Sequence, residues 1–220
     1  MSYPIKHKPR LTIALTGYAG AGKDTVADYL YNTANFRVMA FAEPLKQAIC
    51  AAFQLPHNMF SEPYKNLPNE RLFGLTPRET AQLLGTEGFR NAFGPDIFAN
   101  LLLARIERNL SDLVVVTDVR FQSEVDALNK LNAHFIRVYR PGYKTDGGVA
   151  GHASGQHHKL KFPTSHFYTL NNGGSLTDLY DQVDKVVGPL LLNKVKASKN
   201  SKAKTETTDQ SNQSNQSKDS

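Results

Sequence analysis

Residues 17–25, GYAGAGKDT, set Gly17, Gly20 and Gly22 ahead of Lys23. Glycines let the backbone take conformations closed to other residues, so consecutive N–H groups can turn inward as donors to phosphate oxygens. Lys23 adds a point charge suited to the β- and γ-phosphates of a nucleoside triphosphate. In many phosphate-binding loops a hydroxyl residue follows this lysine directly. Here Asp24 takes that place and the hydroxyl comes one residue later, at Thr25. A Mg²⁺ ion is therefore expected to be held through water and carboxylates, with Asp24, Thr25 and Asp118 as the candidates, which suits a cation that dehydrates reluctantly.

Two further segments carry charge where a phosphate chemist would want it. TDVRFQSE, residues 117–124, follows the apolar run LVVV. Ligands of open α/β sheets sit beyond the carboxyl ends of the strands, so Asp118 and Arg120 should share a cleft with the glycine loop. Arg120 can clamp a phosphate bidentately, Asp118 can orient Mg²⁺-bound water or a substrate group, and Glu124 can hold the Arg120 guanidinium or a sugar hydroxyl. In TPRETAQLLGTEGFR, residues 76–90, Thr76, Pro77 and Glu79 spell a helix start. Arg78 then lies in the first turn, where a cation opposes the helix dipole, and reads as a substrate-phosphate ligand rather than a stabilising choice. Gln82, one turn on, has the donors and acceptor for a base edge, and Gly85 and Thr86 are expected to end the helix. GHASGQHH, residues 151–158, lacks carboxylates and cysteines at ligand spacing, so it reads as part of a mobile lid over about 140–163 rather than a metal site. Arg140 and Lys144 at its base would close over phosphates.

The elements that must position these groups are legible from apolar patterning. Short strands are expected at Leu11–Thr16, Phe36–Phe41, Leu113–Thr117, His134–Tyr139 and His166–Leu170, and helices at about 23–33, 43–54, 77–85, 95–110, 121–132 and 175–190. The alternation predicts a three-layer α/β fold, a parallel sheet of about five strands with helices on both faces. The Pro-punctuated stretch 55–75 interrupts that rhythm, as long functional loops do.

The chain of 220 residues carries 26 Lys and Arg against 20 Asp and Glu, a formal charge of +6. That excess sits at the ends: residues 1–10 hold three basic residues and no acid, and residues 194–220 hold six against three. Residues 11–193 are balanced, 17 against 17, so a specific nucleic-acid groove is not expected. The Lys, Ser, Asn and Gln composition after residue 193 cannot bury enough surface to fold, which divides the chain into a flexible basic arm (1–10), one domain (11–193) and a disordered tail (194–220). No run approaches membrane-span length, residues 1–10 lack the apolar core of a secretory signal, and the single Cys50 excludes a disulfide framework. A cytoplasmic protein is expected, in the host cytoplasm if phage-encoded.

Together GYAGAGKDT, TPRETAQLLGTEGFR, GPDIF, TDVRFQSE and HASGQ resemble the deoxynucleoside monophosphate kinases of large bacteriophages, within the P-loop nucleotide kinases, over most of residues 11–185. The resemblance implies transfer of the γ-phosphoryl group of ATP, with Mg²⁺, to a deoxynucleoside monophosphate. It implies ATP binding by Gly20, Ala21, Gly22, Lys23, Asp24 and Thr25, and an acceptor site of Arg78, Gln82, Gly85, Thr86, Phe98, Asp118, Arg120 and Glu124, with Phe98 stacking on the base. Lys23, Arg78, Asp118, Arg120 and Arg140 are the expected catalytic residues, and a homodimer is suggested. The alternatives are another small-molecule kinase of the same fold, for a ribonucleotide or dephospho-coenzyme A, and an ATP-binding assembly module that transfers nothing.

Overall fold

The computed structural model describes residues 8–142 and 160–192. The arm up to residue 7, most of the expected lid with the His-rich segment 151–158, and the tail lie outside the described residues. Five strands, β1 (Leu11–Thr16), β2 (Arg37–Met39), β3 (Leu113–Val116), β4 (His134–Tyr139) and β5 (Phe167–Asn171), form one sheet in the order β2-β3-β1-β4-β5. Every pairing is parallel. The three-layer expectation is met, because strands buried on both faces must be apolar throughout. All six residues of β1 are buried, and Val114, Val115 and Val116 of β3 are fully so.

Helices α1 (Lys23–Ala34), α2 (Glu43–Ala52), α3 (Pro77–Leu83), α4 (Asn91–Phe93), α5 (Ile97–Asn109) and α6 (Gln122–Asn129) lie within the compact unit that ends at Tyr180. A last helix, α7, runs over 176–192; its start is capped by Ser175, whose Oγ accepts from the Asp178 N–H at 3.2 Å while the Asp178 carboxylate accepts from the Ser175 N–H at 2.8 Å. Residues from Asp181 onward belong to a second unit, helical as far as Leu192. No helix among the described residues is long and apolar enough to cross a membrane.

Two segments differ from the sequence expectation. The stretch 55–75 is ordered into three short 3₁₀ turns, His57–Phe60, Tyr64–Asn66 and Glu70–Leu72. Gly85 and Thr86 do not end a helix. α3 passes instead into a π-helical stretch, Leu84–Arg90, and on into α4. The position is tightly packed: a Cβ at Gly85 would stand 3.0 Å from Leu45 Cδ2, so that leucine would have to shift. Wide turns of this kind are uncommon and cluster at functional sites.

Candidate active site

β1 ends beneath the glycine loop. Gly17 has φ 136°, and a Cβ there would lie 2.3 Å from the Val138 carbonyl oxygen, so both conformation and space demand glycine. Gly22, at φ 104°, is the residue before α1 and would drive a Cβ to 2.4 Å from Asn172 Nδ2. Asn172, just past β5, donates that amide to the Ala21 carbonyl at 2.9 Å and so ties the loop to the far side of the sheet. α1 begins with no side-chain cap, which leaves its first N–H groups to meet an anion.

Lys23 is folded back across the loop. Its Nζ donates to the carbonyls of Gly17 and Tyr18 at 2.9 and 2.8 Å. Burial, with Arg120 nearby, lowers its pKa from 10.5 to about 8. Asp24 and Asp118 oppose that fall without cancelling it, and a bound phosphate would add counter-charge at the same place.

A cleft of about 280 Å³ opens beside this loop, at the carboxyl ends of the strands. Gly20, Lys23 and Asp24 line it together with Arg78, Gln82, Gly85, Thr86, Phe98, Asp118, Arg120 and Glu124. Segments nearly a hundred residues apart in the chain thus converge as the sequence reading expected. Ala21, Gly22 and Thr25 are not among the lining residues, nor is Arg140, which is exposed just beyond β4.

The capping box that places Arg78 is present: Thr76 Oγ1 accepts from the Glu79 N–H at 3.1 Å, and a Glu79 carboxylate oxygen accepts from the Thr76 N–H at 2.9 Å. Burial, partly offset by Glu62, lowers the Arg78 pKa, and Arg120 pushes it the same way, so the two guanidinium groups feel each other. Neither has an acid within 4 Å among the described residues. Glu62 offsets their mutual repulsion only in part, and the cleft gains by binding an anion.

Asp118 has a structural task in addition to facing the cleft. Its two oxygens accept from the N–H groups of Phe41 and Ala42 at 2.7 and 3.0 Å, while Arg105 donates to the Ala40 carbonyl at 2.9 Å. The segment 40–42, which forms one cleft wall, is thereby clamped from two sides. Asp24 is exposed at the mouth, and Thr25 is half-buried one residue on. The described residues contain no group of three His, Cys, Asp or Glu that would cage a metal ion. Asp24 and the remaining lone pairs of Asp118 fit an ion whose other ligands are phosphate oxygens and water.

The inner end of the cleft corrects one expectation and supplies a residue the sequence reading missed. Glu124 does not hold the Arg120 guanidinium. One of its oxygens accepts from the backbone N–H groups of Arg120 and Phe121, at 2.7 and 3.0 Å, and the other accepts from Arg90 Nη2 at 3.1 Å. Burial and the Asp118 charge push its carboxyl up, against the pull of those donors. The Arg90 guanidinium lies over the Phe121 ring at 3.7 Å and near the Phe98 ring at 4.7 Å, and it also donates to the Gly85 carbonyl at 3.3 Å. Phe98, the expected base-stacking ring, is only 3% exposed and has Arg90 beside it. The signal for Arg90 was its place at the end of TPRETAQLLGTEGFR, but its partners, the Gly85 carbonyl and the distant Glu124, show only in the fold.

No protein-family model matches this chain. A protein of Acanthamoeba polyphaga mimivirus described as "Putative deoxynucleotide monophosphate kinase" is 32% identical over 184 residues, which cover 78% of this chain and 93% of that protein. Solved structures aligning at lower identity include a gluconokinase from Sinorhizobium meliloti (12% identical, 85% of this chain and 97% of that one, TM-score 0.46). Another is a dephospho-CoA kinase from Campylobacter jejuni (16% identical, 81% and 96%, TM-score 0.44). With that identity over nearly the whole length of the mimivirus protein, and a glycine loop leading into a cationic cleft, this chain belongs to the deoxynucleoside monophosphate kinase family of P-loop phosphotransferases.

Proposed function

We propose that this protein transfers the γ-phosphoryl group of ATP to the phosphate of a deoxynucleoside monophosphate, giving ADP and the deoxynucleoside diphosphate. The observation that carries the reading is the approach of Arg78 and Arg120, neither with an acid within 4 Å among the described residues, to the cleft that also receives Lys23. ATP binding alone has no need of two additional arginines from separate segments, whereas a second phosphate beside the first does. The mimivirus relative's description supports the same acceptor class.

In the proposed reaction an acceptor phosphate oxygen forms the new bond to the γ-phosphorus as the bond from that phosphorus to the β,γ-bridging oxygen breaks. The electron pair leaves with ADP. The acceptor oxygen is already anionic near neutral pH, so no general base is required, and catalysis rests on alignment and electrostatic stabilisation. The glycine loop and Lys23 hold the triphosphate, while Arg78 and Arg120 bring the acceptor into line and offset the charge spread over the transferring oxygens. Asp24 and Asp118 are the residues that would hold a Mg²⁺ ion, which would supply further charge neutralisation.

The test is an ATP-dependent assay with dGMP, dTMP, dCMP and dAMP, their ribose counterparts and dephospho-coenzyme A as acceptors. A deoxynucleoside diphosphate should form from at least one of the four, faster than any product from the ribose or coenzyme A compounds. ATP binding without a phosphorylated acceptor, or preference for dephospho-coenzyme A, refutes the proposal.

A further inference from the structure

The ordered insert at 55–75 reaches the cleft through two residues, Phe60 and Lys65. Lys65 is partly buried, with 29% of its side chain exposed, and its Nζ stands 2.8 Å from Glu62 Oε1. Glu62 sits at the rim, 62% exposed, and its carboxylate also accepts from Asn66 Nδ2 at 3.2 Å. The contacts of the two partners differ in kind. The lysine faces a cleft that already holds Lys23, Arg78 and Arg120, whereas the glutamate faces water.

We propose that Lys65 is a ligand of the acceptor phosphate and that the Glu62 carboxylate is its resident counter-ion, displaced when the substrate's phosphate arrives. This rests on the phosphoryl-transfer reading above and adds to it a residue and an exchange. Lys23, Lys65, Arg78 and Arg120 line one cleft together with Asp24 and Asp118, and the Glu62 carboxylate at its edge relieves part of the repulsion that remains among the cations. Lys65 lowers the Lys23 pKa and Glu62 raises that of Arg78, so both partners of the pair act on the cationic cluster across the gap. A phosphate bound at Arg78 brings up to two negative charges to the same place and repels Glu62. The glutamate can turn into solvent at little cost, because a pair with one exposed member is weakly held. The lysine, anchored by its partly buried stem, stays to meet the phosphate.

A merely structural pair and an exchanged counter-ion make opposite claims about the two partners. If the pair only braces the insert, removing either partner loosens the site and weakens acceptor binding in both cases. If Glu62 is displaced by substrate, Lys65→Gln weakens binding and Glu62→Gln strengthens it. Equilibrium titration of the full-length protein, loaded with a non-hydrolysable ATP analogue, with dGMP, dTMP, dCMP and dAMP reads this directly. Lys65→Gln should raise the acceptor Kd by roughly 10-fold or more, the scale of one charge-assisted hydrogen bond, and Lys65→Arg should recover most of the loss. Glu62→Gln should lower the Kd by about 2- to 5-fold. Neither change should move the Kd of ATP as far. Weaker acceptor binding in both variants, or unchanged binding in Lys65→Gln, overturns the exchange. Because the readout is binding, the two claims separate. A monophosphate that binds wild type but is never phosphorylated refutes the reaction and leaves the opposite-sign comparison to decide the exchange. Failure of all four to bind overturns both.

Discussion

The mouth and the inner end of the cleft are both built around arginine, and they use it in opposite ways. At the inner end Arg90 is spent on the protein itself, paired with Glu124, bonded to the Gly85 carbonyl and laid over aromatic rings. At the mouth Arg78 and Arg120 have no acid within 4 Å among the described residues, and Lys23 leans on two carbonyls. Arg90 is held by a carboxylate, a carbonyl and two rings, although its buried Nε has no hydrogen-bond partner among the described residues, whereas the cations at the mouth have no such acid beside them. The contrast therefore assigns stability to one end and chemistry to the other, although the residue types are the same.

Substitutions at the two ends should separate these roles. Lys23→Ala and Arg120→Ala are each expected to lower turnover by ~10² to 10⁴, on the scale of losing one key electrostatic contact, with little loss of thermal stability. Steady-state kinetics beside a melting curve reads both, and near wild-type turnover in Arg120→Ala would remove the mouth from the mechanism. Glu124→Ala should do the reverse to the fold. It strands the buried Arg90 guanidinium and should cost about 3–5 kcal/mol in urea unfolding. A loss below about 1 kcal/mol would mean that the inner pair does not hold the fold.

Lys23 supplies a pH test of the same idea. Its folded pKa of about 8 lies below the ordinary 10.5, so between those values the unfolded chain binds more protons than the folded one. Stability from this group must then rise with pH across that window, the cost of burying the charged form being full below about 8 and relieved as pH climbs. Lys23→Met should remove a contribution on the order of 1–3 kcal/mol from the slope between pH 8 and 10.5. Stability curves of the two proteins that stay parallel through the window would show that burial does not disfavour the charged form of Lys23. The smallest expected effect is that of Thr76→Ala, which removes the cap positioning Arg78 and should cost about 1 kcal/mol of stability. Its acceptor KM should rise by less than the Arg78→Ala value, since the arginine remains and only its anchorage loosens.

The difference between the two ends also marks what could be read in advance. The glycine loop, the capping box and all five strands were legible because each depends on neighbours within a few residues: glycines where the turn is tight, Thr76 three residues before Glu79, apolar runs for a doubly covered sheet. The convergence of Lys23, Asp118 and Arg120 was legible for a related reason, since parallel strands put all their carboxyl ends on one side, whereas Arg78 was legible as a ligand only because a cation in the first turn of a helix opposes its dipole. The end of α3 was misread because Gly85 looks like a stop signal in sequence, while its packing against Leu45 is a matter of space.

The sequence by itself thus determined the strand–loop–helix unit, the parallel sheet and the side of it on which the charged segments would gather. Tertiary structure alone decided which charges would be neutralised. Glu124 reaches Arg90 across 34 residues, Asp118 reaches Phe41 across 77, and Asn172 reaches the glycine loop across 151. Local spacing cannot specify such partners, because hydrogen-bond geometry between separate elements is set only once the core has packed and fixed their distance.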